Sequence, residues 1–342
     1  MITPYPTPFS VDPLLFEKEP KQWYPTWATN HQIQAVLPPD LLQLVSCTTQ
    51  SLSAEQRARV AVVLSFINSP REFSNYRVQS IIGYGTNGVV MSALNESGSI
   101  VAIKVIYKQS PGTFHSSIPS EIRSVKELNN HVQGEHILKY IHDWQDASHF
   151  YLVTEKFGSE WLSVLHAKQK PLVFQTVDQF GKLLQSHSFS VYPGGCDAWA
   201  WSTVLKKYLL KTRQSDVLPM DAVKQIIHQS AKALCGIHRA GYFHGDVKLE
   251  NILLQAVSGG CGGAESLWVK LADFGTTKRI KLGNEGKADV LDLGRVLSLL
   301  LSENREPDSA NSLAFALMAE MCQSRVQERL DMEQVLLHPW FK

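Results

Sequence analysis

The run Tyr242-Phe243-His244-Gly245-Asp246-Val247-Lys248-Leu249-Glu250-Asn251-Ile252-Leu253-Leu254 places a histidine, a carboxylate, an ammonium and an amide within eight residues, His244 to Asn251. It follows a helix-like segment and precedes an apolar run with the character of a strand. The grouping suits phosphoryl transfer. Asp246 can take a hydroxyl proton or orient the attacking oxygen, Lys248 can neutralise the moving phosphoryl group, and Asn251 can hold a magnesium ion through its amide oxygen. By itself the stretch also fits a polar loop on any soluble domain, because short motifs match by chance.

The residues upstream favour the chemical reading. Val223, Ile226, Ile227, Ala231 and Leu234 mark one face of a helix that delivers the chain to His244. Further back, alternating residues from Tyr76 to Leu94 flank Gly83-Tyr84-Gly85-Thr86-Asn87-Gly88. Two strands joined by a glycine turn let backbone amides approach phosphate oxygens where a Cβ would intrude. The same spacing opens dinucleotide-binding folds, but there the last glycine leads into a helix, whereas here it leads into Val89, Val90 and Met91. The next strand, Ile100 to Ile106, is apolar around Lys104. A lysine in a buried strand needs a paired charge or a route to a sheet edge. Glu121, at the head of a periodic segment with Ile122, Val125 and Leu128, offers the charge, with Pro119 expected in the first turn of that helix. Ile137 to Ile141 and Phe150 to Thr154 read as two more strands.

From about Tyr76 to Lys342 this order of parts resembles the eukaryotic protein kinase family, of the serine/threonine type. Gly83, Gly85, Gly88 and Val90 match its glycine-rich loop, and Val101-Ala102-Ile103-Lys104 its VAIK strand. The catalytic loop matches at His244 to Asn251, and Asp273-Phe274-Gly275 resembles the DFG motif. Arg329 to Phe341 is similar to the closing helix. The resemblance implies an α+β, bilobal fold: a small β-rich lobe at about 76–155 with one main helix, and a larger, mostly helical lobe at about 158–342. A 1–75 extension, an arm followed by one or two helices, would precede them. It also implies ATP and Mg²⁺. Residues Ile82, Gly83, Tyr84, Gly85, Thr86, Asn87, Gly88, Val89 and Val90 would cover the nucleotide. Lys104 would hold its α- and β-phosphates and pair with Glu121. Thr154 would be the gatekeeper, with backbone groups of Glu155 and Phe157 meeting adenine, and Val90, Ala102 and Leu253 would enclose the base. Asp246 and Lys248 would be catalytic, Asn251 and Asp273 would bind the metal, and Asp289 would hold the catalytic-loop backbone.

Three departures bear on function. Gly245 stands where many kinases have arginine, which removes the usual partner of an activation-loop phosphate, so Thr276 and Thr277 read as ordinary loop residues. Only thirteen residues, Thr276 to Ala288, separate Gly275 from Asp289, without an APE-like triplet. Arg329, matching the arginine that pairs with the APE glutamate, therefore must find another partner or face water. Finally, 158–218 is enlarged, with Trp161, Trp199 and Trp201, a Pro193-Gly194-Gly195 turn and a helix near Trp201 to Leu210. It is expected to pack beside the large lobe. Ser258 to Gly263 reads as a glycine-rich loop tip.

The rest of the chain is consistent with a reduced, intracellular protein, cytoplasmic or nuclear. Its 33 Lys+Arg and 32 Asp+Glu give a net charge of +1, so there is no broad electrostatic case for nucleic acid or membrane. The five cysteines are scattered without CxxC spacing. The start lacks the features of a secretory signal, and no apolar stretch reaches the ~18 to 20 residues of a membrane span. Residues 1–38, with seven prolines, read as an arm with little regular structure, anchored through Trp23 and Trp27. Ser53 and Gln56 form a capping-box pattern that opens a helix through Ala61, Val62, Leu64 and Ile67. The leading expectation is a serine/threonine protein kinase acting on a protein hydroxyl. The alternatives are a nucleotide-binding pseudokinase or scaffold and a small-molecule phosphotransferase, whose aminoglycoside and choline kinase members share the His-Gly-Asp pattern. Oligomeric state is not legible.

Overall fold

The computed structural model describes residues 33–46, 52–108, 117–132, 134–158, 169–178, 180–191, 205–206, 208–209, 218–257, 266–303 and 312–342. The expectations for Trp23, Trp27, Trp161, Trp199, Trp201, the 193–195 turn and the 258–263 tip lie outside these residues. Those for the 201–210 helix are met at Leu205, Lys206, Tyr208 and Leu209, which are helical. Two compact units result, one sheet-rich and one mainly helical, in keeping with the α+β class. The described residues of Met1–Ile118, Ile141–Lys156 and Val164–Trp201 form the first, and those of Pro119–Tyr140, Phe157–Ser163 and Ser202–Lys342 the second. Among the described residues no helix is long and apolar enough to cross a membrane.

The first unit is organised by one helix. After β1 (Ile33–Val36) and α1 (Pro39–Ser46), α2 (Ala54–Asn68) begins at the capping box, with Ser53 Oγ accepting the Gln56 amide at 3.2 Å and Gln56 Oε1 accepting the Ser53 amide at 2.8 Å. Every residue from Ala58 to Ile67 is buried, so α2 is a core helix rather than an amphipathic one. Its one buried cation, Arg59, is held by Glu55 at 2.8 Å and by the Lys170 carbonyl. After the short α3 (Pro70–Ser74) come β2 (Tyr76–Tyr84), β3 (Gly88–Asn95), β4 (Ile100–Tyr107), β5 (Tyr140–Gln145), β6 (His149–Glu155), β7 (Gln169–Asp178) and β8 (Leu183–Val191). They form one eight-stranded sheet in the order β1-β7-β8-β2-β3-β4-β6-β5.

Three expectations are corrected here. The 158–218 segment does not stay wholly with the larger part of the chain: its β7–β8 hairpin joins the sheet, with β8 running parallel to β2. The cause is a period-two pattern. Leu172, Phe174 and Thr176 on β7 and His187, Phe189 and Val191 on β8 are buried while their neighbours are largely exposed, which gives α2 an apolar face to cover. Phe66 of α2 packs 5.6 Å from Phe174 and 4.5 Å from His187. Second, the arm expected over 1–38 contains a strand at 33–36, because β7 offers it an open edge (Ile33 opposite Asp178). Third, the strand expected at Ile137–Ile141 begins at Tyr140. Ile137 and Leu138 are buried in the other unit, where the Leu138 amide bonds the Leu271 carbonyl at 3.1 Å.

A buried polar knot fastens α3 to this sheet. Asp146 accepts from the Ser148 and His149 amides, Ser69 Oγ and the Tyr151 hydroxyl. Lys108 Nζ bonds Gln145 Oε1 and the Asp146 carbonyl.

The second unit is built on α5 (Met220–Arg239) and α6 (Gly286–Glu303), with α4 (Ser120–His131), α7 (Ser312–Met321) and α8 (Met332–Leu337). Val223, Ile226, Ile227, Ala231 and Leu234 are all buried, as their spacing requires. Two short pairs, β9 (Tyr242–Phe243) with β12 (Lys278–Arg279) and β10 (Ile252–Val257) with β11 (Ser266–Leu271), frame the loop between them.

Burial pushes the pKa values of both His149 and His187 down to about 4. Each is neutral when folded but protonates near its ordinary value when unfolded, so the unfolded chain binds more protons below pH ~6.5. Stability measured by urea unfolding is therefore expected to fall as pH drops from ~6.5 towards 4. His187→Phe should flatten that slope, and an unchanged slope in the variant would contradict the assignment. Truncating Phe66→Ala should remove about 3 to 5 kcal/mol in the same assay.

Candidate active site

In the sheet-rich unit the alternation of strand residues sorts the candidates onto one face. Ile81, Val89, Met91, Val101, Ile103, Val105, Tyr151 and Val153 belong to the core under α2. Their neighbours Ile82, Val90 and Ala102 form a separate small apolar cluster on the opposite face. Lys104 and Thr154 lie on that face too: Val90 is opposite Lys104, and Ala102 is opposite Thr154. Thr154 is 1% exposed, and among the described residues its Oγ1 has no hydrogen-bond partner. An unmatched hydroxyl beside a small apolar patch fits a ligand with an apolar ring and polar edges.

The turn between β2 and β3 is Gly85-Thr86-Asn87, closed by the Gly85 amide on the Gly88 carbonyl at 2.9 Å. Thr86 and Asn87 are exposed, and Asn87 accepts the Tyr107 amide at 3.0 Å. Gly88 has a packing reason of its own, since a Cβ there would lie 2.2 Å from the Val105 carbonyl oxygen. Glu155 ends β6, paired with Val101.

In the helical unit the sequence motifs converge. Asp289, in the first turn of α6 and wholly buried, accepts the His244 amide at 2.7 Å and the Gly245 amide at 2.8 Å, and its Oδ2 also takes His238 Nε2 at 2.9 Å. Gly286 leaves room for that imidazole, which a Cβ would meet at 3.1 Å. His244 Nε2 lies 3.1 Å from the Ala272 carbonyl while Nδ1 receives the Asp246 amide at 3.3 Å, which fixes its neutral tautomer with the proton on Nε2. The ring also packs 5.3 Å from Phe274.

Held in this way, Asp246 presents Oδ2 to Lys248 Nζ at 2.6 Å and to Asn251 Nδ2 at 3.0 Å, and Asn251 also reaches the Asp246 carbonyl at 2.8 Å. The Asn251 amide nitrogen is thus occupied, and its oxygen is the atom left for a cation. Burial works against the Lys248 charge, but the hydrogen bond and attraction from Asp246, with Asp273 and Glu250 adding to it, hold its pKa above the ordinary lysine value. Lys248 is therefore an ammonium at neutral pH. Asp273 has φ 61°, the one non-glycine residue with positive φ among those described. Strain of this kind is concentrated at functional sites, and aspartate tolerates it better than most residues. Leu253 is buried on β10, and Phe157 lies under Lys270 Nζ at 5.2 Å from its ring centroid. Glu121 is buried in the first turn of α4, whose N-cap is Pro119, so the proline precedes the helix instead of occupying its first turn.

The departures also find physical explanations. Gly245 has φ +80°, and a Cβ would sit 3.1 Å from the Thr276 carbonyl oxygen and 3.3 Å from the Phe243 ring. The backbone here favours glycine, which the sequence alone did not reveal. Arg329 is 6% exposed and, among the described residues, bonds carbonyl groups: Gln323 at 2.9 and 3.1 Å and Lys287 at 2.8 Å. Main-chain acceptors replace the carboxylate that the motif leads one to expect.

A family model described as protein tyrosine and serine/threonine kinase matches residues 76–293. Over 209 residues, 61% of this chain, the sequence is 25% identical to the serine/threonine-protein kinase MAK of Mus musculus and 24% identical to the serine/threonine-protein kinase ICK of Rattus norvegicus. It is 36% identical over 81 residues, 24% of the chain, to protein kinase gsk3 of Schizosaccharomyces pombe. The matches span 24%, 24% and 19% of those relatives, respectively.

Because the φ of residue 245 favours glycine, Gly245→Ala is expected to lower stability by about 1 to 2 kcal/mol, and Gly245→Arg by more. Urea unfolding that shows either variant as stable as the parent would contradict the backbone argument.

Proposed function

We propose, since the chain belongs to the protein tyrosine and serine/threonine kinase family, that it transfers the γ-phosphoryl group of Mg-ATP to a serine or threonine hydroxyl of a protein. The observation that carries this reading is the convergence of Lys248 Nζ and Asn251 Nδ2 on one oxygen of Asp246. That carboxylate is aimed and charge-balanced, as a group receiving a hydroxyl proton must be. Lys248 then stands beside it to stabilise charge on the transferred group.

The nucleotide is assigned its phosphate and base contacts in the sheet-rich unit. The glycine turn and Lys104 would meet its phosphates, and Val90, Ala102 and Thr154 its base. The divalent ion is assigned to Asn251 Oδ1 and Asp273. Two oxygen ligands completed by phosphates and water suit Mg²⁺, a hard cation that keeps part of its hydration shell. When bound, it would screen the phosphate charge. The protein groups orient the acceptor hydroxyl, accept its proton on Asp246 and present the Lys248 ammonium. The short 276–288 interval favours a second reading, a nucleotide-binding scaffold, because it offers little backbone on which to dock an acceptor peptide. A small-molecule acceptor is the third.

Radiolabelled ATP with a panel of protein and small-hydroxyl acceptors separates these readings. Transfer to protein serine or threonine is expected, whereas exclusive labelling of small molecules would overturn the proposal, and binding of Mg-ATP without transfer would favour the scaffold. Asp246→Asn should abolish transfer yet keep ATP-induced thermal stabilisation. Lys104→Met should lower transfer at least ~10²-fold by removing a phosphate contact, and full activity in that variant would contradict the role.

A further inference from the structure

Helix α4 carries three polar residues at helical spacing, Ser120, Ser124 and Glu127, and two of them grip the catalytic segment. Ser120 Oγ donates to the Gly275 carbonyl at 2.6 Å. Two turns later, Glu127 Oε2 accepts from the Tyr242 hydroxyl at 2.6 Å. That same hydroxyl accepts from Arg279 Nε at 3.1 Å, and the guanidinium carbon lies 5.4 Å from the centroid of the Tyr242 ring. Tyr242 and Arg279 are also direct neighbours across the β9–β12 pair. One phenol thus joins α4, the strand entering the catalytic loop and the strand leaving the Asp273-Phe274-Gly275 turn. Tyr242 is 5% exposed. The Glu127 hydrogen bond is the largest influence raising its pKa, so the phenol stays protonated and remains the donor.

The 276–288 stretch has only two hydroxyl side chains, Thr276 and Thr277. Both donate to the His244 carbonyl, at 2.9 and 3.4 Å, and Thr277 is buried. At residue 245, where a cation could meet an added phosphate, the chain has glycine, and the φ of +80° disfavours any side chain there. The start of the stretch is therefore fastened by groups already in the chain: Gly275, just before it, by Ser120, and Arg279, its fourth residue, by Tyr242 and, through it, Glu127.

We propose that Glu127, Tyr242 and Arg279 are positioning residues that lock α4 and the 273–279 turn to the catalytic loop, so that transfer requires no phosphate on the 276–288 segment. The proposal rests on the phosphotransfer reading above and adds how that site is kept in its working arrangement. Tyr242→Phe removes the shared hydroxyl and keeps the ring. Measured with labelled Mg-ATP and casein on the full chain, it should lower kcat roughly tenfold, the size of effect associated with a charge-assisted hydrogen bond. KM for ATP should stay within about twofold, because no nucleotide contact is touched. Glu127→Gln in the Tyr242→Phe background should add little further loss, since the two share one interaction. Wild-type protein treated with a phosphatase that is then removed should keep its rate.

Full kcat in Tyr242→Phe, additive losses in the double variant, or inactivation by the phosphatase would overturn the proposal. Amide hydrogen exchange across 120–131 separates its failure from that of the phosphotransfer reading. Faster exchange in Tyr242→Phe is expected whether or not casein is labelled, and unchanged exchange would reject the tie even in an active enzyme. Wild-type protein that transfers nothing, together with faster exchange in Tyr242→Phe, would refute the enzyme reading, and with it the claim about transfer, while leaving the mechanical link in place.

Discussion

The helical unit depends on a carboxylate that water does not reach. Asp289 takes the amides of His244 and Gly245 and the imidazole of His238, so its desolvation is offset only if three pieces of chain arrive together. The end of α5 supplies His238, the start of α6 supplies Asp289, and the loop supplies the amides. Gly286 and Gly245 are consequences of this meeting: the first leaves space for the imidazole, and the second allows a left-handed backbone beside Thr276. Once the loop is clamped, the hydrogen bonds of His244 fix its ring, and Asp246, Lys248 and Asn251 fall within reach of one another.

The sheet-rich unit solves a different problem. Each of its central strands has two apolar faces, and one of them must be covered if the other is to be kept for a ligand. Helix α2 provides the cover, and the β7–β8 hairpin widens the surface on which it lies. Because β8 pairs with β2 at Ser80 and Ile81, just before the glycine turn, the strand leading into that turn has a neighbour on each side. The face carrying Ile82, Val90, Ala102, Lys104 and Thr154 owes its order to packing on the reverse side. Nearby, Asp146 and Lys108 bury charge in a network of well-defined partners that ties α3 to the same sheet.

Much of this was legible in the sequence where a local rule and the tertiary structure agree. Ser53 and Gln56 announce α2, the Val223 to Leu234 spacing announces α5, and the order of Lys104, Asp246, Asn251 and Asp273 matches the family that the chain proves to belong to. Illegible features have a common cause, namely dependence on a distant partner. The alternation in Leu172-Val173-Phe174 and His187-Ser188-Phe189 was present, but nothing local says that these strands return to pair with β1 and β2. Ile137 and Leu138 look like a strand because they are apolar, and they are buried against β11 instead. Arg329 looked stranded without an acidic partner, since main-chain carbonyls leave no mark in a sequence. Gly245 read as a missing arginine, although its φ and its neighbours give the backbone its own reason to favour glycine.

Under the proposed phosphotransfer function, the buried Asp289 contacts set the reactive geometry. Replacing Asp289→Asn keeps the size of the side chain but leaves one of the two loop amides facing an NH₂ group. The decisive measurement is the single-turnover rate of labelled phosphate transfer from Mg-ATP, compared with wild type under conditions where urea unfolding shows both proteins folded. A loss on the order of 10²-fold or more is predicted, because a small misplacement of Asp246 is enough to cost that much. A folded Asp289→Asn protein that transfers at the wild-type rate would contradict it.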